Sequence, residues 1–299
     1  MGQRYHVPMS HDDAGGTVGV LGLGLIGGSF ARAYAHAGWR VLAFDTDPDT
    51  MDAAHVDTVA GELDAASAPS CDLIVLAAYP GACLAWLREN AAHIGPHPVV
   101  IDAAGVKGPV CAEAFSLARA NGFRFCGAHP MAGTEFSGFA HARADLFRGA
   151  PMVLVPPELP DAERLDLLDR VHELLAPAGF GSFSVTTPAE HDRVIAYTSQ
   201  LCHVVSNAYV KSPTAREHHG FSAGSYRDLT RVAHLNPAMW SELMMDDREN
   251  LADELDRIIG SLSAYRDSLR AADRDRLRKL LAEGDRIKRA LDDASGAPA

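Results

Sequence analysis

The 299-residue chain contains no apolar run near the ~18 residues that a membrane-spanning helix requires. Its opening residues, MGQRYHVPMSHDDAGG, hold no hydrophobic stretch of the kind that directs export, and they are expected to form a short disordered lead. The Met-Gly start is followed by His6, where a myristoylation pattern needs Ser or Thr. Cysteine is sparse: Cys71, Cys83, Cys111, Cys126 and Cys202 are odd in number, widely spaced and without a C-x-x-C pair. That argues against a disulfide framework and fits reduced, mostly buried thiols in a cytoplasmic protein. Basic charge is also short, with 27 Lys and Arg against 39 Asp and Glu and a net charge of −12. Nucleic acid and anionic membranes, which both call for a basic face, are therefore not expected partners. A small anionic substrate needs only a local arginine and stays open. The His218-His219 doublet lacks the i, i+4 spacing of a helical metal site and reads as solvated loop, so no metal is expected.

Glycine, by contrast, is concentrated where it is informative. Residues 18–29 read VGVLGLGLIGGS, an apolar strand pattern leading into Gly22-Leu23-Gly24-Leu25-Ile26-Gly27 and then an alanine-rich helical pattern. A lone G-x-G-x-x-G is a weak signal; strand before, helix after and an acidic residue ending the next strand make it strong. Gly22 permits the tight turn, Gly24 lets backbone N–H groups approach a pyrophosphate, and Gly27 lets helix and strand pack closely. Leu25 and Ile26 open the helix whose N-terminus receives the diphosphate. The next apolar run ends in Asp45, placed to accept a ribose 2′-hydroxyl. A carboxylate there repels a 2′-phosphate, and no arginine follows it, which favours NAD over NADP.

The rest of the chain separates into two patterns. Apolar strand-length runs at 71–78, 98–102, 124–130, 151–155 and 181–185 alternate with helical stretches near 82–92, 112–121 and 161–175. Continuous apolar strands of this kind predict a doubly wound parallel sheet, with ligands at the carboxyl ends of the strands. Those ends carry Gly22, Asp45, Ala78, Asp102 and His129. Earlier, 51–66 reads as a weak helix interrupted by Gly61; from 189 onward only helical periodicity remains, including one long segment, 237–268. The expected architecture is α/β: a Rossmann-type NAD-binding domain over 16–188 and an all-α domain over 189–292. The apolar stripe Met244, Leu251, Leu255, Ile258, Ile259 and Leu262 is long enough to meet another subunit as well as its own core. The charged segment 273–292 reads as a surface helix, and the last residues as frayed.

A histidine followed by proline at a strand end, in GAHPMAGTEFSGF (127–139), is fixed in place beside the expected cofactor. That is where a proton acceptor for hydride transfer belongs. Taken with GLGLIGGS, D-x-x-x-V-K (102–107), HD (191–192), YRDLTRVA (226–233) and NPAMW (236–240), this stretch resembles the prephenate dehydrogenase family, in the family's own order and over nearly the whole chain. The resemblance implies an NAD domain, a helical domain, and a homodimer built through the latter. It implies oxidative decarboxylation of prephenate to 4-hydroxyphenylpyruvate, a step of tyrosine synthesis.

By position, His129 matches the family's catalytic histidine and Arg231 the arginine that binds a substrate carboxylate, with Arg227 a second basic group one helical turn before it. His203 matches a second active-site histidine. Thr134 and Glu135 stand beside His129, where they would position the site or pair with arginine. Ala78 and Asp102 fall at cofactor-facing strand ends. Asp192 and Trp240 match groups behind or at the mouth of the site, or plain packing between domains.

Two positions depart from the family. Gly105 replaces a serine that would bond the substrate's C4 oxygen, and Gln200 replaces a histidine in S-H-x-x-H. One reading is drift. The other is a changed group at C4, as in 4-amino-4-deoxyprephenate, whose product is 4-aminophenylpyruvate, a precursor in specialised metabolism. Arogenate, with an amino group in the side chain, is a further candidate. A β-hydroxyacid dehydrogenase would need a helical-domain lysine, and Lys211 beside Ser212-Pro213 is poorly placed for that. A non-catalytic NAD-binding sensor would need none of His129, His203 and Arg231.

Overall fold

Residues 15–56, 58–134, 136–217 and 220–295 are described by a computed structural model. The expected N-terminal lead, Glu135, the His218-His219 doublet and the final residues fall outside them. The described chain forms two compact units, one running through Asp247 and the other beginning at Arg248.

In the first unit eight strands, β1 (Thr17–Leu21), β2 (Arg40–Phe44), β3 (Gly61–Glu62), β4 (Leu73–Leu76), β5 (Val99–Asp102), β6 (Arg124–Pro130), β7 (Pro151–Val155) and β8 (Ser182–Val185), make one sheet. Their order is β3-β2-β1-β4-β5-β6-β7-β8. Five helices cross between them: α1 (Leu25–His36), α2 (Pro48–His55), α3 (Pro80–Ile94), α4 (Gly108–Asn121) and α5 (Asp161–Leu174). The period-2 alternation of strands explains why helices cover both faces. Val18, Val41, Val75 and Ile101 enter a core with Phe30, Tyr34 and Phe147, while Leu42, Ile74, Leu76 and Val100 enter another with Trp86 and Leu87. β1 lies between β2 and β4, so the strand order reverses there, and the crevice outside its carboxyl end is the natural dinucleotide site.

Three local expectations are corrected. The sheet is not parallel throughout: β7 runs antiparallel to β6, with Pro130 opposite Met152, and carries β8 with it. A parallel neighbour needs a crossover that returns to the far end of the sheet. Among the described residues of 131–150 there is only a single 3₁₀ turn, Phe139–His141, so β7 starts where β6 stops. The stretch at 51–66 is not one weak helix either; α2 stops at His55 and the two-residue edge strand β3 follows. The segment 237–268 is interrupted at Asp247, whose φ of −117° and ψ of 26° leave the helical region.

After β8 the chain is helical, as expected. α6 (Pro188–Ile195) begins with Thr187, whose side chain accepts the Glu190 N–H, and with Pro188 in its first turn. It runs into a π-helical turn, Ala196–Leu201, then α7 (Cys202–Tyr209), α8 (Gly224–Thr230) and α9 (Pro237–Asp246). Asn236 caps α9 by accepting the Ala238 and Met239 N–H groups. The second unit is a helical hairpin, α10 (Arg248–Arg270) and α11 (Arg274–Ser295). The Tyr265 hydroxyl donates to the Leu280 carbonyl across it. It buries Leu251 and leaves Ile259, Leu262, Leu269, Leu281, Ile287 and Leu291 exposed. Among the described residues no helix is long and apolar enough to cross a membrane.

Candidate active site

The glycine turn divides its labour by geometry. Gly22 has φ of +83°, and a Cβ on it would stand 2.9 Å from the Ala78 nitrogen; a Cβ on Gly27 would lie 1.8 Å from the Gly22 carbonyl oxygen. These two close the turn against β4 and α1. A Cβ on Gly24 would meet nothing within 4 Å, so the space in front of it is open. Leu25 and Ile26 begin α1, whose N-terminus has no side-chain cap. Uncapped N–H groups facing an open concavity are what a pyrophosphate requires. Asp45 follows β2 and accepts the Leu23 N–H at 2.6 Å on one oxygen and the Asp47 N–H at 2.9 Å on the other. Each oxygen keeps a lone pair, so the carboxylate can still accept a ribose hydroxyl. The residues present therefore fit a dinucleotide.

Asp102 is corrected. At the end of β5 it is fully buried, and its carboxylate accepts the Ala104 and Ala128 N–H groups and pairs with the buried Lys107 ammonium. It ties the ends of β5 and β6 to the start of α4 and offers no face to a cofactor.

His129 stands at the end of β6. Its Nδ1 lies 2.9 Å from Nε2 of His191 on α6. The His191 Nδ1 lies 2.7 Å from an Asp192 carboxylate oxygen. Asp192 in turn accepts the Lys107 and Gly108 N–H groups, each at 2.7 Å, on its two oxygens. A chain of three side chains thus runs from the strand end to the first turn of α4. Burial above all, then the Lys107 charge and His191, hold the His129 imidazole well below its ordinary pKa of 6.5. It is neutral at physiological pH and ready to take a proton. His191 is the neighbour of His129 that sequence reasoning passed over. The HD pair was visible, but its contact with His129 spans 62 positions.

The helical candidates gather around His203. His203 on α7 sits 3.0 Å from the Val232 carbonyl through Nδ1, and its ring lies 4.1 Å from that of Trp240. Partial burial is the main cause that lowers its pKa, with the nearby Arg231 charge acting the same way against the Val232 bond. Arg227 and Arg231, four residues apart at α8, are exposed and have no ion pair among the described residues. Both guanidinium groups are available to an anion. Thr134 accepts the Phe136 N–H at 3.3 Å and closes its own loop, with no bond to His129 or an arginine among the described residues. Glu135 lies outside those residues. Lys211 is exposed, which is no setting for a buried catalytic lysine.

α9 closes over the two departing positions. Leu243 is the nearest neighbour of a Cβ placed on Gly105, at 3.5 Å, so a serine methylene would fit there without strain. Gln200, buried in the π turn, donates from Nε2 to Asp247 at 3.1 Å, and its Oε1 finds no donor among the described residues. Because a carboxylate only accepts, the amide orientation is set and the unsatisfied atom is an acceptor. Glu242 accepts the Gly81 N–H at 2.9 Å. Asp246 has its pKa raised by burial first and by the charges of Glu242 and Asp192 next.

A Rossmann-type sheet with an open glycine turn, a neutral histidine at a neighbouring strand end, and free arginines on following helices define a dinucleotide-dependent oxidoreductase architecture. Residues 30–178 match the family model described as prephenate dehydrogenase, nucleotide-binding domain, and residues 187–283 the one described as prephenate dehydrogenase, dimerization domain. The chain belongs to the prephenate dehydrogenase family. It is 28% identical over 275 residues to the prephenate dehydrogenase of Bacillus subtilis, covering 87% of this chain and 72% of that protein. The crystal structure of Synechocystis arogenate dehydrogenase superposes with a TM-score of 0.73 at 28% identity, covering 91% of this chain and 99% of that one. Prephenate dehydrogenase from Aquifex aeolicus, solved in complex with hydroxyphenyl propionate and NAD+, gives 0.76 at 26% identity, covering 94% and 100%.

Proposed function

We propose that this protein is a cytoplasmic NAD-dependent dehydrogenase that converts prephenate to 4-hydroxyphenylpyruvate with loss of CO2. The observation that carries the reading is His129, neutral and held by His191 at the end of β6. NAD, held at the glycine turn and Asp45, would supply the hydride acceptor. His129 takes the C4 hydroxyl proton as that carbon gives up its hydride. The ring carboxylate then departs as CO2, its bonding electrons complete the aromatic ring, and the proton returns to the C4 oxygen. Overall one NAD is reduced and no net proton is released. Arg231, with Arg227 beside it, holds a substrate carboxylate, and His203 with Trp240 flanks the ring. In this reading residues 16–188 hold the nucleotide and 189–292 supply substrate contacts and the homodimer interface.

A second reading is favoured by one feature. The unsatisfied Gln200 carbonyl oxygen and the nearby acidic groups Glu242 and Asp246 suit a substrate that brings hydrogen-bond donors and positive charge. 4-Amino-4-deoxyprephenate has both at C4; arogenate has them on its side chain. The test is NADH formation by the purified protein with each of the three substrates. Preference for prephenate is the expected result, and preference for an amino substrate replaces it with the second reading. No turnover of any of them, together with tight NAD binding, would turn the protein into a nucleotide sensor.

A further inference from the structure

Resting on that reading, we infer that His191 is a positioning residue which, backed by Asp192, fixes the His129 tautomer so that Nε2 of His129 is the proton acceptor. The argument runs outward from the carboxylate. Each Asp192 oxygen already accepts a backbone N–H, from Lys107 or Gly108, at the start of α4. The carboxylate is therefore the acceptor toward His191, and the ring nitrogen facing it, Nδ1, carries the hydrogen. In the neutral form of His191, on which the inference rests, that is its one N–H, so its Nε2 keeps the lone pair, and that atom faces Nδ1 of His129. Only one hydrogen fits between the two facing nitrogens, and His129 must supply it. The Nε2 of His129 is then the free lone pair.

The same chain answers a second problem. Lys107, a buried ammonium, opposes a positive His129, and its charge is offset by Asp102. When Nε2 of His129 takes the substrate proton, the new imidazolium keeps its Nδ1–H on His191, whose far nitrogen stays on Asp192. No second proton has to move. The charge appears two hydrogen bonds from a carboxylate whose place is set by a helix start. A histidine in the other tautomer presents an N–H to the substrate hydroxyl and is useless as a base.

Two measurements test this. In the holoenzyme, His191→Leu removes the acceptor for the His129 N–H, and His191→Gln restores one through its amide oxygen. Loss of a correctly poised general base costs on the order of 10²-fold or more. The expected result is a kcat lower by about that factor in His191→Leu, KM values for substrate and NAD within ~3-fold of the parent, and substantial recovery of kcat in His191→Gln. An unchanged kcat in His191→Leu, or a loss carried by KM, overturns the inference. The second measurement needs no turnover. Nitrogen-15 NMR of histidine-labelled parent protein, with His129 assigned through its His129→Asn variant, is expected to show the Nδ1-protonated tautomer at neutral pH. The Nε2-protonated form overturns the inference. A protein inactive on every cyclohexadienyl substrate but showing the Nδ1–H tautomer would fail the proposed function and keep the hydrogen-bond chain.

Discussion

At the scale of single residues, burial keeps the His129 imidazole in its neutral form. Losing water disfavours its charged form, and Lys107 adds to the effect. The direction fixes a pH dependence. In the proposed reaction the active form is the neutral imidazole, so activity is expected to be lost only as pH falls through the depressed pKa, not at the ordinary value of 6.5. The kcat/KM of the parent protein is expected to hold between pH 7.5 and pH 6.5, roughly flat, and to decline below that. A half-maximal point at or above pH 6.5 would contradict the assignment. The histidine itself was legible, because proline and a glycine-rich loop follow it directly at a strand end. Its partner was not: nothing local in His191-Asp192 reports that α6 brings the pair against β6 and α4. Asp102 misled for a related reason. A strand-end carboxylate reads as ligand-facing until the buried Lys107 claims it.

Secondary-structure elements were easier to read, where apolar content decided them. Four-residue runs such as Leu73–Leu76 and Val99–Asp102 are buried throughout, and length with β-branched content marks them as central strands. Strand direction leaves no trace in such a run, so the antiparallel β6–β7 junction had no signal beyond the missing helix between them. The glycine turn supplies the prediction at this scale. Gly24→Ala points a methyl into open space and is expected to leave the melting temperature within ~2 °C of the parent while raising the NAD KM or Kd at least ~10-fold. Gly27→Ala drives a methyl into the Gly22 carbonyl and is expected to cost upwards of ~2 kcal/mol of stability by urea denaturation. Equal effects of the two substitutions would refute the division of roles between closing the turn and leaving it open.

For the molecule as a whole, the helical hairpin of α10 and α11 is the least self-sufficient part. Among the described residues these two long amphipathic helices bury Leu251 and Ser268 and leave six large aliphatic side chains exposed. The matched dimerization model runs over 187–283 and so includes α10 and the first part of α11. A homodimer is expected by light scattering at micromolar concentration, and Ile259→Lys with Leu262→Lys is expected to give monomers that remain folded by circular dichroism. A dimer unaffected by that double substitution would move the interface off this face. The apolar stripe was visible in sequence, but the break at Asp247 was not, because the helical period runs on through it while the backbone does not.

The π-helical turn at Ala196–Leu201 has a bearing on how such a site diverges. One surplus residue in a helix rotates everything beyond it by about 100°. The turn therefore sets the phase of α7 apart from that of α6. Its upstream arm holds the His191-Asp192 pair, Gln200 lies within the turn itself, and its downstream arm holds His203. Mutations that re-aim the second arm leave the phase of the first untouched. Gln200 reaches toward Asp247, while the contact of His191 with Asp192 is made before the turn, so the two sets of contacts are re-aimed separately.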